Sequence, residues 1–549
     1  MPTAVAPLEE RAAKVTVALP SGTVIGDTVL KVESFKGIPF ADPPVGSLRL
    51  RPPKRLSRPL GTFDATGIAP SCPQMFLSSD ALGVVGGVLT DLLSIPFLQP
   101  VAGQEDCLSV SVQRPAGTKA GDKLPVLFWI FGGGFELGST LMYDGTSLLT
   151  TAVDQNQPFI FVAVNYRVAG FGFMPGAEIL RDGSANLGLL DQRMGLEWVA
   201  DNIAAFGGDP DKVTIWGESA GSISVLDQMA LYGGNATYNG KPLFRGAIMN
   251  SGTMVPADPV DCPKGQHIYD TVVRNAGCAG QADTLACLRG LPYNKFLQAA
   301  NSVPGLLSYS SVALSYLPRP DGVVLPDSPD RLVAQGRYYA VPMIVGDQED
   351  EGTLFALFQP NLTTTNEMAQ YLKDYFFPAP SMQQLRDMVG NWNPILTNGS
   401  PFRTGVFNEW YPGFKRLAAI LGDLVFTLTR RVFLEVATEV NPDVPAWSYL
   451  ASYNFGTPVM GTFHGSDLLQ IFYGILPNNA MRSCRTYYYN FLYNLDPNVG
   501  VTRYARWPKW TESKTLMWFE KANSNSLLKD DFRQGSSDWI AANVDMMHV

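Results

Sequence analysis

Residues 212–231, KVTIW-GESAG-SISVLDQMAL, carry the strongest indication of how this chain folds. Its opening KVTIW is rich in β-branched and apolar residues and predicts a buried strand, whereas SISVLDQMAL predicts a helix. Between them, Gly217-Glu218-Ser219-Ala220-Gly221 fits the GxSxG turn, in which a serine stands between a strand and a helix. Bulky residues two positions from the serine would clash in so sharp a turn. The stretch therefore predicts an exposed nucleophile at Ser219, the alternative being a glycine-rich turn that caps a helix.

The rest of the chain alternates strand-like and helix-like patterns. Near-continuous apolar runs occupy residues 124–131, 159–165, 213–216, 244–250 and 342–345, and helical patterns occupy residues 190–203 and 223–231. Such runs are typical of strands covered on both faces. We therefore expect an α/β fold, with a large and mostly parallel central sheet covered by helices on both faces. No repeat or flexible linker divides the chain, so we expect one domain over residues 1–549 rather than two.

The composition excludes several functional classes. Of the 549 residues, 46% are hydrophobic and 17% are charged, which suits a large core and is too apolar for a disordered chain. The net charge of −9 gives no basic surface for nucleic acid. The chain has three histidines and six cysteines, with no CxxC pair, so we expect no metal site.

Signals for cellular location are weak. Residues 1–15 lack an apolar core and carry charges at positions 9–11, so they are not a signal peptide. Either a signal was removed or the chain is made without one. No run reaches 18 apolar residues, so we expect no transmembrane segment. Secretion with N-glycosylation is weakly supported by sequons at Asn235, Asn361 and Asn398, the last of which is followed by a proline that we expect to weaken it.

A serine hydroxyl needs a base to take its proton, and the three histidines are the candidates. His548 is next to the last residue and is expected to be mobile. His267 lies in an apparent loop soon after the serine, whereas His464 lies late in the chain in Gly461-Thr-Phe-His464-Gly465. GxSxG hydrolases place the base after the acid, in a loop that follows a late strand. This order favours His464.

The third residue of such a catalytic group, after the nucleophile and the base, should be an acid at the end of a strand between Ser219 and His464. Residues 346–353, GDQEDEGT, follow the predicted strand at residues 342–345. The chemistry of the residues does not choose among the four acids of this segment, which are Asp347, Glu349, Asp350 and Glu351.

An oxyanion-binding loop is predicted at Phe131-Gly132-Gly133-Gly134-Phe135, directly after the strand-like run 124–131. Its glycines allow backbone N–H groups to approach a developing oxyanion without a side-chain clash. The N–H of Ala220 is the second expected donor. A plain glycine-rich turn is the alternative.

Several motifs occur together along the chain. GESAG, FGGGFELG, EDEGT and GTFHG are accompanied by NLGLLDQRMGLEWV (186–199), FGGDP (206–210), EDCLSV (105–110) and GIPFADPPVGSLRLRPP (37–53). From about residue 14 to residue 549, the sequence resembles the carboxylesterase type-B group. It is most similar to the fungal lipases and sterol esterases of the Candida rugosa lipase type, and among these to the sterol esterases of filamentous fungi. The resemblance implies an α/β-hydrolase fold, no cofactor, and hydrolysis of apolar esters.

The resemblance also implies roles for individual residues. The nucleophile falls on Ser219, the base on His464, and the acid on Glu351, which precedes Gly-Thr. The oxyanion donors fall on Gly133, Gly134 and Ala220, and the disulfides on Cys72–Cys107 and Cys278–Cys287. Cys262 and Cys484 match no family pair, and are either free and buried or joined to each other. Candidates for the wall of an acyl-chain tunnel are Leu314, Phe355 and Phe463, for each of which generic core is the alternative.

A lid is predicted inside the insertion at residues 73–106. In residues 78–98, apolar side chains recur at helical spacing, at Leu82, Val85, Val88, Leu89 and Leu92. The resemblance makes this amphipathic helix a lid over the active site, the alternative being an ordinary packed helix. An exposed apolar lid would bind lipid aggregates or interfaces, or pair with a second lid in a homodimer.

The predicted function is hydrolysis of long-chain fatty acid esters, namely triacylglycerols and sterol esters, by a secreted enzyme. The resemblance implies a Ser-His-Glu triad and an acyl-enzyme intermediate. A short-chain carboxylesterase is the first alternative, and the apolar lid argues against it. A non-catalytic binding protein on the same fold is the second, and the presence of every triad member argues against it.

Overall fold

A sheet of thirteen strands forms the centre of the computed structural model, which describes residues 13–76, 101–454 and 456–549. The strands in chain order are β1 (Ala13–Leu19), β2 (Gly22–Val29), β3 (Val32–Pro39), β4 (Gly61–Asp64), β5 (Ser109–Pro115), β6 (Leu124–Ile130), β7 (Ile160–Val164), β8 (Gly208–Glu218), β9 (Thr237–Tyr238), β10 (Lys241–Pro242), β11 (Gly246–Asn250), β12 (Met343–Gln348), β13 (Ala446–Ala451), β14 (Thr515–Lys521) and β15 (Ser524–Lys529). Strands β9 and β10 form a separate hairpin.

The order across the large sheet is β1-β2-β3-β5-β7-β6-β8-β11-β12-β13-β14-β15, with β4 beside β2. Every neighbouring pair from β7 to β14 is parallel, whereas β1 to β7 at one margin and β14–β15 at the other pair antiparallel along this order. All five predicted apolar runs form strands of the parallel part, which confirms the mostly parallel sheet. Strand β8 starts earlier than its apolar run because Gly208 pairs with Leu124 of β6.

Helices cover this sheet on both faces. Their bounds are Thr146–Asp154, Ala169–Gly172, Ala177–Asp182, Leu187–Asn202, Ala220–Ala230, Pro263–Asn275, Thr284–Gly290, Tyr293–Ala300, Pro329–Ala334, Thr365–Tyr371, Met382–Gly390, Phe414–Gly422, Leu428–Val440, Asn479–Asn494, Trp510–Ser513 and Gln534–Asn543. Every residue of β7, β11, β12 and β13 is buried. Since successive side chains of a strand point to opposite faces, both faces must be covered. None of the described helices combines the length and apolarity needed to cross a bilayer.

The six cysteines form two disulfides and leave two free thiols. Cys72 is bonded to Cys107 and Cys278 to Cys287, as the resemblance implies. Cys262 and Cys484 are buried and free, so they are not joined to each other. The predicted lid helix at residues 78–98, with its apolar face from Leu82 to Leu92, lies outside the described residues, and the lid stays a prediction.

Candidate functional site

Ser219 lies at the junction of β8 and helix Ala220–Ala230. Its backbone has φ 58° and ψ −127°, a strained conformation for a residue with a side chain. A Cβ atom on Gly217 would lie 2.2 Å from the carbonyl oxygen of Gly221, and one on Gly221 would lie 2.0 Å from that of Ile130. The turn therefore excludes any side chain at both glycines. Ser219 is half-buried, in contrast to its buried neighbours, so its side chain remains accessible.

His464 and Glu351 meet at the same edge of the sheet. Glu351 follows β12, and His464 follows β13, its parallel neighbour, so both lie beyond the carboxyl ends of their strands. The Nδ1 atom of His464 is 2.5 Å from Oε2 of Glu351, whose Oε1 accepts a hydrogen bond of 2.7 Å from the backbone N–H of Gln348. Both side chains are buried. The carboxylate thereby fixes the orientation of the imidazole.

The other three acids of segment 346–353 have structural partners. Asp347 pairs with Arg430 at 2.9 Å, Glu349 pairs with Arg403 at 2.8 Å, and Asp350 accepts from the backbone N–H groups of Phe402 at 2.7 Å and Thr462 at 2.9 Å. Of the four candidates, Glu351 is the one that contacts His464.

Ser219 and His464 line one small cavity. Its other lining residues are Gly133, Tyr143, Glu218, Leu306, Leu307, Leu354 and Phe355. No hydrogen bond joins Ser219 to His464, and Nε2 of His464 has no hydrogen-bond partner in the described part of the chain. Oε1 of Glu218 lies 3.4 Å from that nitrogen. In related chemistry, the hydrogen bond between a nucleophile and its base often forms only once substrate is bound, so the absence of a Ser219–His464 hydrogen bond is compatible with proton transfer between them.

Buried acids determine the electrostatics around the imidazole. Burial by itself would lower the pKa of His464, but the negative charges of Glu351 and Glu218 outweigh it and raise this pKa to about 9. Burial raises the pKa of Glu218 to about 8 and that of Asp467 to about 6, the latter against a hydrogen bond from Asn250. The site is therefore built to stabilise an imidazolium ion.

The glycine loop lies beside Ser219, since a Cβ atom on Gly132 would be 2.8 Å from the Cβ atom of the serine. Gly133 and Gly134 have φ of 112° and 62°, and they line the two cavities next to the serine. Among the described residues, nothing accepts from the N–H groups of Gly133, Gly134 or Ala220. Glu136 anchors the loop, because one of its oxygens accepts from the N–H of Leu306 at 2.7 Å. Burial raises the pKa of Glu136 to about 8.

An apolar pocket opens from Ser219. Its cavity volume is about 70 Å³. Its wall is formed by Gly134, Phe135, Ser219, Ala220, Ile223, Met254, Val255, Pro256, Leu306, Val312, Leu314, Leu317, Phe355, Phe376, Phe377, Leu424, Val425, Phe426, Met547 and Val549. Leu314 and Phe355 are thus wall residues. Phe463 is not among the described residues that line this pocket or the small cavity.

The other two histidines lie elsewhere and differ from expectation. His267 is exposed on helix Pro263–Asn275 and not in a loop, because Pro263 occupies the first turn, where proline favours helix formation. His548 is buried although it is next to the last residue, and its ring nitrogens lie 3.3 Å from Asp330 and 3.7 Å from Asp258.

One cluster of the described residues has the composition of a metal site. Asp330, Asp545 and His548 offer ligand atoms within 4.8 Å of one another. Asp330 is hydrogen-bonded to His548, and Asp545 faces Arg331 at 3.5 Å. These protein contacts account for the cluster without an ion.

The motif analysis missed two acidic residues near the imidazole, and only the first of them carries a sequence signal. Glu218 is inside GESAG, next to the serine, and its position in the turn places it beside the imidazole. Asp467 follows His464 by three residues, and nothing in its sequence surroundings predicts that it is buried behind the base.

The three sequon asparagines, Asn235, Asn361 and Asn398, are exposed.

Comparison with known proteins gives consistent matches over nearly the whole chain. A family model described as "Carboxylesterase family" matches residues 13–535. "Secreted triacylglycerol lipase LIP1" of Gibberella zeae is 73% identical over 99% of this chain and 92% of its own length. "Lipase 4" of Diutina rugosa is 44% identical over 98% of both chains. The crystal structure of Aspergillus niger EstA superposes with a TM-score of 0.81 at 26% identity, covering 98% of this chain and 99% of that one.

Proposed function

This chain belongs to the carboxylesterase family and is a carboxylic ester hydrolase, and we propose that it cleaves long-chain fatty acid esters by a Ser219-His464-Glu351 triad. The observation that carries the proposal is the shared cavity, in which Ser219 and the free Nε2 of His464 face the same space. The hydrogen bond between Nδ1 and Glu351 supports the same assignment.

In the first half of the reaction, the Ser219 oxygen attacks the ester carbonyl carbon, and its proton passes to Nε2 of His464. The carbonyl oxygen becomes an oxyanion, which would accept hydrogen bonds from the N–H groups of Gly133, Gly134 and Ala220. Glu351 stabilises the imidazolium through the proton on Nδ1. When the tetrahedral intermediate collapses, Nε2 returns its proton to the alkoxide, the alcohol leaves, and the acyl group stays on Ser219.

In the second half, water replaces the alcohol. His464 takes a proton from the water as the water oxygen attacks the acyl carbon, and the same donors stabilise the second oxyanion. Collapse of this intermediate breaks the bond to Ser219, which regains its proton from His464. The products are a fatty acid and the free enzyme. No cofactor takes part in either half.

The apolar pocket supports a long acyl chain as the substrate group. Its wall is almost entirely aliphatic and aromatic, and it starts at Ser219, where the acyl carbon would be attached. Leu314 and Phe355 would contact the chain. Triacylglycerols and sterol esters both supply such an acyl group, and the relative from Gibberella zeae is named a triacylglycerol lipase. The pocket supports these substrates over short-chain esters, which would leave most of the wall unfilled.

Secretion and glycosylation are part of the proposal. Two of the most similar relatives are named secreted lipases, and two disulfides are typical of proteins from oxidising compartments. The three exposed sequons would carry the glycans. Binding at lipid interfaces and dimerisation through the lid remain predictions of the sequence.

The test compares the wild-type protein with Ser219→Ala on acetyl and oleoyl esters and on cholesteryl oleate. We expect hydrolysis of the oleoyl esters, and a loss of at least about 10⁴-fold in the variant. An organophosphonate should label the wild type and not the variant. Normal turnover by Ser219→Ala would refute the assigned nucleophile, and a marked preference for acetyl esters would favour the short-chain alternative.

A further inference from the structure

Two wall residues of the apolar pocket belong to the last three residues of the sequence. Met547 and Val549 line the pocket, and His548 between them is buried but is not among the described residues that line it. Neither Met547 nor Val549 lines the small cavity that holds His464. Their contribution to the site is therefore limited to the apolar pocket.

The backbone of this segment is paired with a second wall segment. The N–H of Val549 donates to the carbonyl of Pro256 at 3.2 Å, and the N–H of Asp258 donates to the carbonyl of Val549 at 3.2 Å. Pro256 lines the same pocket. The buried guanidinium of Arg319 donates to the carbonyls of both Val549 and Asp258. The segment is thus held at a defined place in the wall.

His548 adds the side-chain part of this attachment. Its Nε2 lies 3.3 Å from Oδ2 of Asp330, and its Nδ1 lies 3.7 Å from Oδ1 of Asp258. Asp330 also accepts from the hydroxyl of Ser328, which in turn accepts from the N–H of Ala257 at 3.0 Å. The network therefore joins segments 256–258, 328–330 and 547–549.

Asp330 suits the acceptor role in this network. Burial alone would raise its pKa, but the hydrogen bonds from His548 and Ser328 outweigh burial and lower the pKa below its ordinary value. The carboxylate is therefore ionised and accepts the Nε2–H of His548. Loss of the imidazole would leave a buried carboxylate without this donor, which favours a rearrangement of the segment.

We propose that His548 and Asp330 form a latch that positions Met547 and Val549 in the wall of the acyl pocket and so determines which acyl chains the site accepts. The inference rests on the proposed function, because it concerns the acyl group of that reaction. His548 and Asp330 act here as positioning residues, since they contact the wall segment and not the reacting atoms.

The experiment measures kcat/KM for p-nitrophenyl butyrate and palmitate in the wild-type protein, His548→Ala, Asp330→Asn and Met547→Ala. We expect the palmitate-to-butyrate ratio to fall by at least about tenfold in all three variants, because contacts with the distal methylenes are lost. In His548→Ala and Asp330→Asn, which change no residue of the pocket wall itself, butyrate hydrolysis should stay within about twofold. His548→Gln, which keeps an N–H donor, should recover part of the ratio. His267→Ala is the matched control, because that histidine is exposed on a helix outside the pocket wall.

Three results would overturn the inference. The first is an unchanged ratio in His548→Ala and Met547→Ala. The second is an equal loss on both esters, which would indicate a general effect on folding. The third is a loss of the ratio in wild-type protein treated with EDTA, which would mean that a metal rather than Asp330 holds His548. Absence of wild-type activity on both esters is distinguishable from these, and would refute the proposed function and the latch together.

Discussion

Replacing Glu218 by glutamine should make the enzyme active at lower pH. Oε1 of Glu218 is 3.4 Å from Nε2 of His464, and its negative charge is one cause of the raised pKa of about 9. The base accepts the serine proton only when it is neutral, so activity is present above the pKa of His464 and lost as the pH falls through it. A lower pKa therefore moves the acid limb of the pH profile to lower pH.

The distance between Glu218 and His464 determines the size of the expected change in the pKa of His464. At 3.4 Å, Coulomb's law gives about 1 kcal/mol with the dielectric constant of water and about 5 kcal/mol with an effective value of about 20. At about 1.4 kcal/mol for each pKa unit, the range is roughly one to three and a half units. Burial raises the pKa of Glu218 itself to about 8, so this carboxyl is mostly ionised near pH 9, where His464 titrates, and loses its charge as the pH falls below about 8, which limits the shift. We therefore expect a shift near the lower end, about one unit.

The assay is kcat/KM for p-nitrophenyl butyrate from about pH 5 to about pH 10. Asp227→Asn is a matched control, because burial also raises the pKa of Asp227 to about 8 but this acid is not among the groups that shift His464. The control should leave the acid limb where it is in the wild type. An acid limb that stays in place in Glu218→Gln, or moves to higher pH, would refute the electrostatic argument.

Two further predictions concern the turn and the pocket. Gly221→Ala should lower the thermal midpoint and abolish activity, because its Cβ would lie 2.0 Å from a backbone carbonyl oxygen. The control, Gly67→Ala, should change neither, because a Cβ atom at that position would meet open space. A stable and active Gly221→Ala would contradict the turn geometry. Leu314→Trp should reduce palmitate hydrolysis at least about tenfold and spare acetate, because Leu314 lines the pocket beside Gly134. Phe463→Leu should leave the palmitate-to-acetate ratio unchanged, and equal effects of the two substitutions on that ratio would mean that the pocket wall is misassigned.

Features that depend on neighbouring residues could be predicted from the amino-acid sequence. The apolar runs that form β6, β7, β8, β11 and β12 are continuous because these strands are buried on both faces. This pattern predicts buried strands from the sequence. The strand, turn and helix around Ser219 are likewise local, since a Cβ atom on Gly217 would clash with Gly221 four residues later. The clash at Gly221 is with Ile130 of the adjacent strand, so the requirement for that glycine is tertiary. The family resemblance added Glu351, which the chemistry of the residues had left among four acids.

Which side chains contact one another could be read only from the folded structure. The sequence pattern did not distinguish Glu351 from the acids at positions 347, 349 and 350. In the structure these three carboxylates differ from Glu351 because they accept hydrogen bonds from other groups, namely Arg430, Arg403 and the backbone N–H groups of Phe402 and Thr462. Phe463 is next to the base in sequence and lines neither cavity, whereas His548, expected to be mobile, is buried between two acids from other segments. Local patterns specify which backbone conformation a residue adopts, but burial and pairing depend on partners that are distant along the chain, and packing alone brings those together.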